Sequence, residues 1–385
     1  MDRRTFIKHC QLLGLPLLPS AVSTVLFSNP AAASTDIKPS DIPESAGKNI
    51  ERVPFQVSII GAGGLGTRLV SQISKSQFRN DAAEVTIRYF AVDTDRRPLE
   101  AIDPNLVRPV WIPADSGVGG ASIHPSTARR LATQHSSYLF GEPSSSNDDT
   151  VAHRQLNLAG TAMTIIVAGF GRGAGTGLTQ EIARKSKEAG AFTAVFVTEP
   201  FTFEVLNSSL DDELRLLARL ADTVVTIAHD ESQPDALMKE IFLRAESEIQ
   251  RRVCNLVDSV TGAGLIGFDL EDLRYTFSEP GISGFGSGLG RVAHVPDGDY
   301  ANDGYSCDAA LDALAMLPDI GSAKSALVMF SINKSFKLGQ FRDCMIPIRS
   351  RLQENAAIMA VASYDRNLPM DQFALDIWVP NYRRL

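Results

Sequence analysis

The sequence reads as an α/β protein built on a parallel sheet with helices on both faces. Three observations carry that reading. Six apolar runs alternate with helical patterns between residues 55 and 233, and strand–helix alternation builds parallel sheets. Glycine-rich turns stand directly after two of those runs. A long helical stretch then separates this region from a second module.

The elements follow in order. "FQVSII" opens the folded part as a buried strand, and "TRLVSQISKSQF" has a helical pattern. "TIRYFAVDTD" and "NLVRPVWIP" are the next strands, and "GEPSSSNDDT" at 141–150 is a surface loop. "TAMTIIVA", "FTAVFVTEP" and "ADTVVTIAHD" complete the series. Residues 55–233 thus form the first domain, and "PDALMKEIFLRAESEIQRRVCNLVDSV" the central helix at 234–260. The second module, 261–385, contains "SALVMFSINKSF", a helical "GQFRDCMIPIRSRLQE", "AAIMAVASYD" and "FALDIWVPNY". No internal repeat is present.

A chain of 385 residues suffices for two domains with real cores. Its 44% apolar and 21% charged content is that of an ordinary globular protein. A net charge of −8 with no Lys/Arg run argues against a nucleic-acid surface. Cys10, Cys254, Cys307 and Cys344 are scattered without a C-x-x-C pair. They read as buried or incidental thiols, neither a zinc site nor a disulfide framework. "AHD" at 228–230 has no partner histidines, so no metal site is expected there.

The N-terminus stands apart. Arg3-Arg4 and "TFIK" precede a mildly apolar stretch, and "NPAAAS" follows with a small-residue cleavage site near Ala33. That is the layout of a signal peptide, and the paired arginines resemble the twin-arginine signal that exports folded proteins. Residues 1–33 are therefore read as a signal or membrane-targeting segment, and 34–54 as a polar, proline-dotted linker. Cytoplasmic or inner-membrane placement and twin-arginine export compete on this reading.

A glycine turn between strand and helix aims backbone N–H groups and a helix N-terminus at one point, which attracts phosphate. Two such turns occur, "GAGGLG" at 61–66 and "GFGRGAGTG" at 169–177. The first also matches G-x-G-x-x-G with Asp93 ending a later strand, the fingerprint of an NAD-dependent oxidoreductase. That reading leaves the second turn unexplained.

Here the sequence resembles FtsZ, the bacterial relative of tubulin. "GRGAGTG" is similar to the family's G-G-G-T-G-[ST]-G signature, and "IIGAGGLGTRLV" to its first phosphate loop. "FAVDTD", "GVGGASIHP", "VTEPFTFE", "GLIGFDLEDLRYTFSEPG", "SALVMFSINKSFKLGQF" and "AAIMAVASYD" resemble further family segments, in order, over roughly residues 55–382. The resemblance implies a Rossmann-like GTPase domain, a long central helix and a smaller α+β domain with a mixed sheet, the tubulin/FtsZ fold. It implies GTP or GDP as cofactor, with Mg2+, and a homo-polymer or another FtsZ-like protein as partner.

By this resemblance Gly61, Gly63, Gly64 and Gly66 approach the nucleotide, and Gly171, Gly173, Gly175, Thr176 and Gly177 cradle its phosphates. Glu204 matches the ribose-contacting glutamate and Phe242 the aromatic that stacks on guanine. Asp269 and Asp272 match the acids that complete a neighbour's active site; read without the resemblance, they are loop or helix-cap acids. Leu65, Thr67, Arg68, Arg172, Ala174, Ser208, His229, Ser247 and Gly267 depart from the family pattern. Ser247 stands near the guanine-reading aspartate, flanked by Glu246 and Glu248. These departures bear on base selectivity and rate more than on fold. A chain ending at Leu385 is also expected to lack the terminal peptide by which FtsZ meets its adaptors.

The leading reading is an FtsZ-like GTP-binding protein, self-assembling head to tail, with weak hydrolysis at subunit contacts. The alternatives are a non-catalytic structural or regulatory paralogue and, less favoured, the oxidoreductase.

Overall fold

Six parallel strands come first: β1 (Phe55–Ala62), β2 (Val85–Asp93), β3 (Arg108–Trp111), β4 (Met163–Gly169), β5 (Phe192–Thr198) and β6 (Thr223–Ile227). β5 is buried along its whole length and β4 along all but its last residue, as a sheet covered on both faces requires. Between them run α1 (Gly63–Ile73), α2 (Arg96–Glu100), α3 (Pro125–Gln134), α4 (Ser136–Phe140), α5 (Gly173–Glu188) and α6 (Leu210–Leu220). The computed structural model describes residues 55–383, apart from 77, 79–84, 115–119, 122–123, 141–154, 205–208, 230–234, 262–264, 267, 292–306 and 366–367. The targeting segment at 1–33, the linker, the 141–150 loop, most of "GVGGASIHP", Ser208 and Gly267 lie outside the described residues.

The strands lie in the order β3-β2-β1-β4-β5-β6, that of a doubly wound Rossmann-like sheet, with its switch point between β1 and β4. Leu69, Val70 and Ile73 of α1 share one core with the central helix, α7 (Met238–Thr261). That helix buries Ile249, Val253, Leu256 and Val257, a stripe at helical spacing. Leu131 of α3, Ile182 of α5 and Leu217 of α6 pack on the opposite face.

The second domain continues the same sheet. It comprises α8 (Leu270–Thr276), β7 (Ile282–Arg291), α9 (Asp308–Ala315), β8 (Ser325–Ile332), α10 (Leu338–Arg351), β9 (Ala357–Tyr364) and β10 (Gln372–Arg383). β7 pairs with β6 and β10, and the order runs on as β7-β10-β8-β9. β10 is antiparallel to β7 and β8, whereas β8 and β9 are parallel, so this part is mixed. Arg251 of α7 ties the halves together. Its Nη1 donates to both oxygens of Asp376 at 2.9 Å, and its Nη2 to Ser287 at 2.9 Å and Glu248 at 3.0 Å. Burial works against the charge of Arg251, but Asp376 and Glu248 outweigh it and hold the guanidinium more firmly protonated than usual.

The sequence reading passes over β7, whose glycines occupy alternate positions. A Cβ on Gly286 would lie 2.0 Å from the Ala313 carbonyl oxygen, and one on Gly288 1.9 Å from that of Ala309. The strand gives up side chains on one face so that α9 can lie directly on it.

The cysteines correct the sequence reading. Cys307, just before α9, and Cys344, within α10, form a disulfide across 37 residues. Closing a loop of that size stabilises by about 4 kcal/mol in the chain-entropy picture. Both sulfurs belong to the core of the second domain. Spacing alone hides this bond, because no local motif links the two positions. Cys254 is free, and burial pushes its thiol up to about 11.

Candidate functional site

The two glycine turns leave the C-terminal ends of β1 and β4, adjacent strands at the switch point. A crevice at that place is where doubly wound sheets take their ligands. α1 begins at Gly63 after Ala62, and α5 at Gly173 after Arg172. Neither preceding residue makes a side-chain cap bond, and neither first turn carries an acid. Two helix N-termini therefore aim unsatisfied N–H groups and positive dipole ends into one crevice. That arrangement binds phosphate.

The glycines divide by task. Gly63 has φ +72°, and a Cβ on it would meet the Gly175 nitrogen at 2.7 Å, so the two turns touch backbone to backbone. Cβ atoms on Gly61, Gly66, Gly175 and Gly177 would lie 2.1 to 2.4 Å from carbonyl oxygens of Gly66, Val167, Gly169 and Pro125 respectively. These four are required by packing, a reason the sequence reading did not give. Gly64 differs: a Cβ there would meet only a Pro98 carbon at 3.9 Å. Gly171 has φ +100°, and its N–H donates to the Thr176 hydroxyl at 3.0 Å. Thr176 is buried and clasps its own loop. Gly173 forms the buried first residue of α5.

Glu204 and Arg172 meet at the rim of the crevice. Arg172 Nη2 donates to Glu204 Oε2 at 3.0 Å, and the Phe201 N–H donates to Oε1 at 3.3 Å. Phe242 packs edge-on against Phe201 and His229, with centroids 5.5 and 5.1 Å apart. His229 in turn stacks on Phe201 at 4.5 Å. The acid sharing the Phe242 face of α7 is Glu246, one turn on, whereas Ser247 is exposed. Glu246 is buried and held by Arg68 of α1, whose Nε donates to its two oxygens at 3.1 and 3.3 Å. Gln72 adds a bond at 3.4 Å. The sequence reading missed both arginine–glutamate pairs; the signal was that Arg68 and Arg172 stand in or next to the glycine turns.

Asp269 and Asp272 lie elsewhere, at the N-terminus of α8, on the second domain's side of the molecule. They form a capping box: the Asp272 N–H donates to Asp269 Oδ1 at 2.9 Å, and the Asp269 N–H to Asp272 Oδ2 at 3.2 Å. The structure does not bring them to the glycine turns of the same chain. Asp93 is buried, which raises its carboxyl pKa, and Oδ1 accepts the Asp95 N–H at 3.1 Å. That bond closes a local turn at the end of β2. No cluster of His, Cys, Asp and Glu suited to a metal occurs among the described residues.

Comparison with known proteins fits this geometry. Residues 56–231 match the Tubulin/FtsZ family, GTPase domain. The cell division protein FtsZ of Buchnera aphidicola subsp. Baizongia pistaciae is 27% identical over 320 residues, covering 81% of this chain and 75% of the relative. Cell division protein FtsZ 1 of Pyrococcus abyssi is 25% identical, covering 82% and 79%. In structure, an FtsZ dimer from M. jannaschii superposes with TM-score 0.65 and 23% identity over 84% of this chain and 88% of that one. A GTPγS-bound protofilament of CetZ2 from Haloferax volcanii gives TM-score 0.59 at 17% identity over 86% and 94%. With relatives in bacteria and archaea, and with two glycine turns at the switch point of its first sheet, residues 56–231 form an FtsZ-like GTP-binding domain of the Tubulin/FtsZ family.

Proposed function

We propose that the crevice between α1 and α5 holds the phosphates of GTP or GDP, that subunits assemble head to tail, and that hydrolysis is slow. The paired, uncapped N-termini of α1 and α5 are the observation that carries this reading. The N–H groups of the first turns would hold the phosphate oxygens. Phe242 would flank the base, and Glu204 would reach the ribose once released from Arg172. The Arg172 guanidinium, freed by the same move, adds a positive charge beside the phosphates. Mg2+ would be held chiefly by phosphate oxygens and water, as is usual for that ion. Head-to-tail assembly is supported by the dimeric and protofilament forms of the structural relatives. In such a contact Asp269 and Asp272 of one subunit would face the phosphates of the next and orient the attacking water.

Calorimetry with GTP, ATP and NAD tests the nucleotide. GTP is expected to bind tightest, with a reduced margin over ATP because Glu246 is committed to Arg68. NAD binding tighter than GTP would return the chain to the oxidoreductase class.

One observation favours the second reading, a non-catalytic structural module. A disulfide is chemistry of oxidising compartments, and the Cys307–Cys344 bond accords with export directed by Arg3-Arg4. An exported protein could carry one bound nucleotide without resupply. Association with a membrane would then run through residues 1–33, since no helix among the described residues is long and apolar enough to cross one. Replacing both arginines by lysine and fractionating cells should abolish N-terminal processing and leave Cys307 and Cys344 open to thiol labelling. Unchanged distribution and processing would rule the signal out.

A further inference from the structure

β6 and β7 pair only at Val224–Ile282 and Val225–Ser283 and then diverge. The wedge between them opens into a cavity of about 730 Å3, floored by α7 and bounded by the end of β10. Ile227, Phe285, Met316 and Tyr382 give it apolar and aromatic walls. A volume of this order suits a small organic ligand.

Arg252 of α7 is the unusual feature of the lining. Its side chain is 8% exposed, and its guanidinium carbon lies 3.8 Å from the Phe285 ring centroid. Its Nε is buried with no hydrogen-bond partner among the described residues. The ion pair it makes, with Glu248, is long at 3.4 Å, and Glu248 also accepts from Arg251 at 3.0 Å. Burial pushes Arg252 down to about 10, so it still carries its charge at neutral pH. A buried charge with an unmet donor works against folding. Arg251, one residue earlier, already supplies the tie from α7 to the second domain. Stacking on Phe285 and the long pair with Glu248 thus leave the Arg252 Nε–H unmet, beside a cavity that Glu248, Asp319 and Arg383 also line.

We propose that this wedge binds a small organic anion, a flat apolar body bearing one carboxylate or sulfonate, with Arg252 taking the charged group and Phe285 and Tyr382 flanking the body. The site is separate from the nucleotide crevice and stands whether or not the nucleotide reading does.

Titrating the full chain with 8-anilinonaphthalene-1-sulfonate, followed by fluorescence, tests it. Saturable binding of one probe per chain is expected, unaffected by excess GTP. Arg252→Met should weaken it at least tenfold while leaving the melting temperature equal or higher, because the variant removes a buried charge that one long ion pair only partly offsets. Met316→Trp narrows the cavity from its exposed side, keeps Arg252, and should weaken binding equally. Probe affinity unchanged in both variants, displacement by GTP, or a lowered melting temperature in Arg252→Met would overturn the proposal.

Discussion

Asp269→Ala and Asp272→Ala should each lower GTP turnover by about 100-fold or more, with nucleotide affinity nearly unchanged. The two acids stand at the N-terminus of α8, away from the glycine turns that leave β1 and β4, so on the proposed reading two subunits together make one site. Turnover should accordingly rise faster than linearly with protein concentration. The capping box complicates the alanine variants, because losing an N-cap costs about 1 kcal/mol. Asp269→Asn separates the effects: asparagine caps as well as aspartate but carries no charge. It should keep the melting temperature of the parent and still lose turnover. A rate strictly proportional to concentration, with full turnover in both alanine variants, would show that the acids serve only as a cap.

Gly177→Ala and Gly64→Ala should fail in opposite ways. The Gly177 methyl would sit 2.1 Å from the Pro125 carbonyl oxygen and 2.8 Å from Ala128 Cβ, where α5 crosses α3. Backbone must move, at a cost of roughly 2–3 kcal/mol, seen as a lower midpoint in urea. The Gly64 methyl has open space on the protein side, so stability should hold. Because that space is where a phosphate would approach, GTP affinity should fall about tenfold, which calorimetry would register. Equal stability losses in both variants would mean that Gly64 is a packing glycine like its neighbours.

Much of the first domain was legible because its strands are uninterrupted apolar runs and its turns are glycine clusters. The second domain was read in outline, and β7 was missed. Alternating glycine means a turn at 169–177 and a helix-covered strand at 284–290; what differs is the neighbour that comes close, which no local pattern records. The same limit applies at the site. Gly61 and Gly175 read from sequence as phosphate-facing glycines; carbonyl oxygens elsewhere in the turns give a second reason why neither can carry a Cβ. The Cys307–Cys344 bond, Arg68–Glu246 and Arg172–Glu204 join residues 37, 178 and 32 positions apart. Such pairings are products of tertiary structure and leave no trace in spacing.

The central claim is that two helix N-termini at the β1–β4 switch point hold the phosphates of a guanine nucleotide. Denaturing the freshly purified full chain and separating the released small molecules by ion-exchange chromatography tests it most directly. GDP or GTP is expected in amounts approaching one per chain, and much less from Gly64→Ala. Release of a nicotinamide dinucleotide, or no nucleotide from a protein that also fails to take up added GTP, would contradict it.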